Sequence, residues 1–72
     1  MKKDILKLLG GKVRDRRIKK GLSQEEFADI AGLDRTYVSG IERGVRNPTV
    51  RTLKTIADAL DMSISELLEE SP

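Results

Sequence analysis

Two helix-start signals stand eleven residues apart in the middle of this chain, and few folds accommodate them so close together. The first is Ser23-Gln24-Glu25-Glu26, a capping box. In such a box the serine oxygen accepts the Glu26 N–H, and the Glu26 carboxylate reaches back to the Ser23 N–H. Leu22 before it and Phe27 after it complete a hydrophobic staple. A helix from Gln24 to Ala31 follows, closed by Gly32. The same grammar then repeats, with Leu33 before the cap, Asp34 as N-cap and Val38 as the apolar partner, and Gly44 stops this second helix. Only Gly32, Leu33 and Asp34 separate the two. The pattern is helix, tight glycine turn, helix, with both apolar faces turned to a common core.

The flanks are helical too. Ile5, Leu6, Leu9 and Val13 keep helical spacing, and Arg14, Arg17 and Ile18 continue it to Gly21. Gly10-Gly11 inside this run costs about 1 kcal/mol per glycine relative to alanine. Either one helix crosses this soft point or residues 1–8 form a separate turn; one helix is the expectation. Thr49 caps a fourth helix with apolar positions Val50, Leu53, Ile56, Ala57 and Leu60. Ser63-Ile64-Ser65-Glu66 is a second capping box, stapled by Met62 and Leu67, opening a short fifth helix from Ile64 to about Glu69. No stretch alternates with period two long enough for a strand. The expected fold is all-α: a compact five-helix domain spanning residues 1–72, with the helix-turn-helix at 24–43.

Composition narrows the chemistry. The chain has no Cys and no His, which excludes disulfides, Cys/His metal sites and histidine acid–base catalysis. Ser23, Ser63 and Thr49 lack any neighbouring base and read as caps, and no phosphate-cradling loop is present. Neither an enzyme nor a cofactor or small-molecule substrate is expected. No apolar run approaches the roughly 20 residues of a membrane span, and no signal peptide opens the chain, so a cytoplasmic location is expected. Residues 1–54 hold all 14 Lys and Arg against seven acids, a net +7; residues 55–72 hold five acids and no base. That asymmetry suits a polyanionic partner on one side, although a segregated solvated surface gives the same count. The cluster Lys12, Arg14, Arg16, Arg17, Lys19, Lys20 is ordinarily a solvated face, and its last members are placed to reach phosphates.

The helix after Asp34 sorts its residues by angle. Tyr37, Val38 and Ile41 fall on one side; Thr36, Ser39, Gly40 and Arg43 fall on the other, with Arg35 at the edge. A helix that only covered a core would carry Lys, Glu or Gln outwards. Small polar groups flanked by guanidiniums suit close approach to a surface rich in acceptors, such as the major groove of DNA.

The run Gly21-Leu22-Ser23-Gln24-Glu25-Glu26-Phe27-Ala28, then Ala31-Gly32-Leu33, Ile41-Glu42-Arg43-Gly44 and Arg46-Asn47-Pro48 resembles the phage-repressor-like (Xre-type) helix-turn-helix family. Leu33 to Arg43 is especially similar to controller proteins of restriction–modification systems. The resemblance covers residues 9–68. It implies that Arg35 and Thr36 read bases from the tip of the recognition helix, and that Arg46 reaches base edges from the following loop. It further implies that Gln24 clamps a phosphate at a helix N-terminus, that Tyr37, Ser39, Arg43 and Asn47 contact the DNA backbone, and that Arg17 pairs structurally with Glu42. Position 40 departs from the pattern, since several phage repressors carry a base-reading amide there. That side of the helix is then expected to discriminate less or to let the backbone approach DNA more closely; alternatively Gly40 is a tolerated glycine on an exposed face.

Residues and resemblance together predict a sequence-specific, double-stranded DNA-binding regulator, acting as a homodimer on a pseudo-palindromic operator. The dimer surface is expected in the acidic C-terminal part, at Ile64, Leu67 and Leu68, because so short a helix hardly buries all three inwards. Alternatively all three, with Met62, close the core against Ile5, Leu6 and Leu9 and leave a monomer. A second class of function, an antitoxin-like protein or adaptor with another protein as main partner, also fits the residues.

Overall fold

The computed structural model describes residues 4–70; the outer ends of the domain expected over 1–72 lie outside them. Among the described residues there are five helices and no strand: α1 (Ile5–Lys19), α2 (Gln24–Ala31), α3 (Arg35–Glu42), α4 (Val50–Ala59) and α5 (Ile64–Leu68). None is long and apolar enough to cross a membrane.

Local side-chain chemistry sets the start of each helix. Asp4 Oδ1 accepts the Leu6 N–H at 3.0 Å and opens α1. The Glu26 N–H donates to Ser23 Oγ at 3.0 Å and the Ser23 N–H donates to Glu26 Oε1 at 2.8 Å, closing the first capping box. Ser63 and Glu66 repeat it at the same distances. Asp34 Oδ1 accepts the Thr36 N–H at 2.7 Å, and Thr49 Oγ1 accepts that of Thr52 at 3.1 Å. In Asp34, Glu26 and Glu66 these bonds to the charged form hold the carboxyl below its usual pKa range.

α1 lies against α3 and α5, α2 against α3 and α4, and α4 against α5. The enclosed core is Leu9, Val13, Phe27, Ala28, Val38, Ile41, Ile56, Ala57, Leu60 and Leu67. Leu22, Leu33, Tyr37, Leu53, Met62, Ile64 and Leu68 pack against its margin. Four expectations change here. Ile5 is 51% exposed and Val50 74%; each is the first residue of its helix and overhangs the neighbouring elements. Ile18 is 50% exposed because it stands two and a half turns beyond Leu9, on the opposite side of α1. Leu67 is fully buried, so it belongs to the core and not to a surface open to a second copy. Only Ile64 and Leu68 of the proposed trio reach the margin.

α1 runs unbroken through Gly10-Gly11, and the two glycines differ. A β-carbon on Gly10 would collide with the Ile41 carbonyl oxygen and lie 2.6 Å from that of Glu42, whereas one on Gly11 meets nothing within 4 Å. Gly10 is thus the point where α1 and α3 touch backbone to backbone. Substitution with alanine is expected to act with opposite sign at the two sites. Gly11→Ala should stabilise by about 1 kcal/mol through helix propensity. Gly10→Ala should destabilise, since overpacking against immobile backbone costs about 1–3 kcal/mol or more and outweighs that gain. Urea titrations followed by circular dichroism measure both, and a stabilised Gly10→Ala would show that the helices separate freely.

Candidate nucleic-acid interface

The turn between α2 and α3 is tight because Gly32 takes a left-handed conformation (φ 68°, ψ 33°) that other L-residues rarely adopt. Its N–H donates to the Asp29 carbonyl at 3.3 Å, and the Leu33 N–H donates to that of Ala28 at 2.8 Å, which closes α2. Val38 and Ile41 are buried and Tyr37 packs against the core margin, so the opposite side of α3 faces outwards. There Arg35, Thr36 and Arg43 are exposed and Ser39 is half-buried. The loop beyond α3 adds Arg46 and Asn47, both exposed. The structure therefore brings Arg35, Thr36, Ser39, Arg43, Arg46 and Asn47 to one rim.

Arg17 and Glu42 meet beneath that rim. Arg17 Nε donates to Glu42 Oε2 at 2.6 Å and Nη2 donates to Oε1 at 3.0 Å, while Nη1 donates to the Leu22 carbonyl at 2.7 Å. The side chains are only 11% and 3% exposed. The bond to Glu42 holds the Arg17 pKa above its usual value. A third element joins at the same carboxylate, since Gln24 Nε2 donates to Glu42 Oε1 at 3.1 Å. The half-buried Gln24 is thus anchored from below, with its amide oxygen outside that bond. Among the described residues no buried side-chain nitrogen or oxygen lacks a partner.

Three members of the basic cluster on α1 also serve the fold. Besides Arg17, Arg16 donates through Nε to the Leu60 carbonyl at 3.1 Å and through Nη2 to that of Asp61 at 3.2 Å, capping the end of α4. Lys20 Nζ lies 2.6 Å from Asp61 Oδ2. Asp61 is the one described non-glycine residue at positive φ, 56°, in a place where α2 and α3 are each followed by a glycine.

Position 40 corrects the sequence expectation. Gly40 is buried because the Arg46 side chain lies across it, and neither an exposed glycine nor a backbone bared to DNA describes it. A β-carbon there would stand 2.6 Å from Arg46 Cγ, 3.2 Å from Nε and 3.4 Å from Cδ. Beyond that contact the Arg46 guanidinium carbon lies 5.6 Å from the centre of the Tyr37 ring, within cation–π range. The fold-back that places it has a local cause. The Gly44 N–H donates to the Ile41 carbonyl at 3.0 Å and the Val45 N–H to that of Gly40 at 2.9 Å, reversing the chain over the last turn of α3. The pair Gly40…Gly44 was the available signal, a bare helix face followed four residues later by the reversal.

An exposed recognition helix, seated on a second helix through a tight glycine turn and rimmed by guanidiniums, defines a class. The chain belongs to the helix-turn-helix family of DNA-binding transcriptional regulators, whose family model, "Helix-turn-helix", matches residues 13–67. Restriction–modification controllers stand among its relatives. It is 46% identical over 65 residues to the control protein C.SmaI of Serratia marcescens, covering 90% of this chain and 77% of that protein. Its fold matches the crystal structure of the restriction–modification controller protein C.AhdI from Aeromonas hydrophila with a TM-score of 0.82 and 47% identity, over 86% of this chain and 94% of that one. It also matches the biofilm master regulator SinR, solved in complex with DNA, with a TM-score of 0.80 and 35% identity, over 85% of this chain and 98% of the crystallised one. The full SinR protein of Bacillus subtilis is longer, and the matching region spans 58% of it.

Proposed function

We propose that the chain is a sequence-specific regulator of the restriction–modification controller type, acting in the cytoplasm as a homodimer on a pseudo-palindromic operator. The observation that carries this reading is the rim itself: Arg35 and Thr36 exposed at the N-terminal tip of α3, with Arg46 laid along the same helix across Gly40. In this reading Arg35 donates two bonds to guanine O6 and N7, the Thr36 methyl meets a thymine methyl, and Arg46 reads a further base edge. Gln24, Tyr37, Ser39, Arg43 and Asn47 hold phosphates and set the register. One recognition helix of eight residues is about 12 Å long and spans a single half-site. A second copy with its helix about 34 Å away supplies the other half. Ile64 and Leu68, one turn apart at the core margin in a segment free of Lys and Arg, form the proposed pairing face.

Selection of bound sites from random duplex DNA tests this. A two-fold symmetric site with half-sites about one helical turn apart is expected. On that site Arg35→Ala should cost about 1–3 kcal/mol and relax the choice at one base pair, whereas Gln24→Ala should weaken good and poor sites alike. Enrichment of no common sequence would overturn the reading, and uniform losses for both variants would remove Arg35 from the base-reading set.

A further inference from the structure

We infer that Gly40 is a specificity-determining residue: it is the seat on which Arg46 is held, and the bare α-carbon keeps this guanidinium in one reading position before DNA arrives. The inference rests on the base-reading role proposed for Arg46 and adds a residue that touches no base itself.

Arginine in a surface loop ordinarily samples many rotamers, and immobilising such a side chain costs a binding interface about 0.5–1.5 kcal/mol. Arg46 is restrained at two points along its length. Its stem lies on Gly40, where Cγ, Nε and Cδ all fall within 3.4 Å of the place a β-carbon would take. Its guanidinium stands over the Tyr37 ring at 5.6 Å. The loop is fixed from below, since the Val45 N–H is bonded to the carbonyl of Gly40 itself. The closest of the three atoms, at 2.6 Å, decides what any other residue does at position 40. Cγ is the second carbon of the side chain, so it gives way only by a change of χ1, and that change swings the guanidinium off Tyr37 by several bond lengths. One methyl group is therefore enough to unseat Arg46. The helix itself tolerates the change, because alanine is the better helix former in a position such as this.

The test uses Gly40→Ala, Arg46→Ala and the double variant, with two readouts. The first is the ring-current shift of the Arg46 Hδ and Hε resonances in the free protein. The second is affinity for a panel of duplexes carrying each single base-pair change in the half-site. Arg46→Ala is expected to lose about 5- to 150-fold of its preference at one base pair, the range of one base contact. Gly40→Ala should move the Arg46 resonances towards random-coil positions and lose preference at the same base pair, although it retains the arginine. It should still prefer the Arg35 base pair and melt no lower than the parent, and the double variant should lose no more than Arg46→Ala alone. If Gly40→Ala leaves the Arg46 resonances in place, or moves them and keeps the full preference, the seat is overturned while Arg46 stays a base reader. If Arg46→Ala keeps the full preference at every base pair and Arg35→Ala does not, both the seat and the role of Arg46 fall, and DNA reading by α3 survives.

Discussion

Glu42→Ala is expected to lower the free energy of unfolding by up to about 3–5 kcal/mol, the cost of removing one partner from a fully enclosed ion pair. The carboxylate is 3% exposed and its partner 11%, so water replaces the lost bonds only in part. Three donated bonds disappear together, two from Arg17 and one from Gln24, and the guanidinium keeps only the Leu22 carbonyl. Domains of this size have about 5 kcal/mol to lose, so the variant should be close to half unfolded at modest urea. Replacing both partners, as in Arg17→Met with Glu42→Leu, should recover much of the loss because no charge is then stranded. A urea midpoint for Glu42→Ala equal to that of the parent would show that the pair contributes nothing to stability.

Operator binding should weaken by orders of magnitude with salt. If each half of the proposed dimer neutralises three to five phosphates, log K falls against log salt with a slope of about −5 to −9. The structure favours the shallow end of that range. Arg16, Arg17 and Lys20 are engaged with protein groups, and the proposed phosphate clamps Gln24, Tyr37, Ser39 and Asn47 are neutral and would release no counterion. A slope near −5 still means roughly a thousandfold loss between 50 and 200 mM salt. Affinities measured by fluorescence anisotropy across a potassium chloride series give the slope, and a value near zero for the selected site would remove DNA as the ligand.

What could be read from the chain before its structure was whatever is decided within one turn of backbone. Ser23, Asp34, Thr49 and Ser63 occupy the expected N-cap positions, because a cap is a contact between neighbours two or three residues apart. Helix faces were legible in the middle of each helix, and misleading at Ile5 and Val50, the first residues of α1 and α4, and at Ile18, which the drift of the helical angle carries to the outer side of α1. The site divides in the same way. The outward face of α3 follows from its angular pattern, while the pairing of Arg17 with Glu42 came only with the family resemblance, since 25 residues separate the partners. The bond from Gln24 to Glu42, the seat of Arg46 and the separate duties of Gly10 and Gly11 join residues remote in the chain, and no local pattern encodes them.

The backbone contact at Gly10 also decides what holds the reading helix at its height above the body. Most helix pairs are spaced by side chains, so that axis separation follows the volume of whatever fills the gap. Here the carbonyls of Ile41 and Glu42 close directly on α1, and no side chain intervenes at the crossing. Main-chain dimensions are the same in every protein, so at this one point the approach of the two helices is set by backbone and not by the volume of a side chain. The contact pins the C-terminal end of α3, at Ile41 and Glu42, and leaves the N-terminal end that carries Arg35 and Thr36 to pivot on the core side chains beneath it, Val38 first among them.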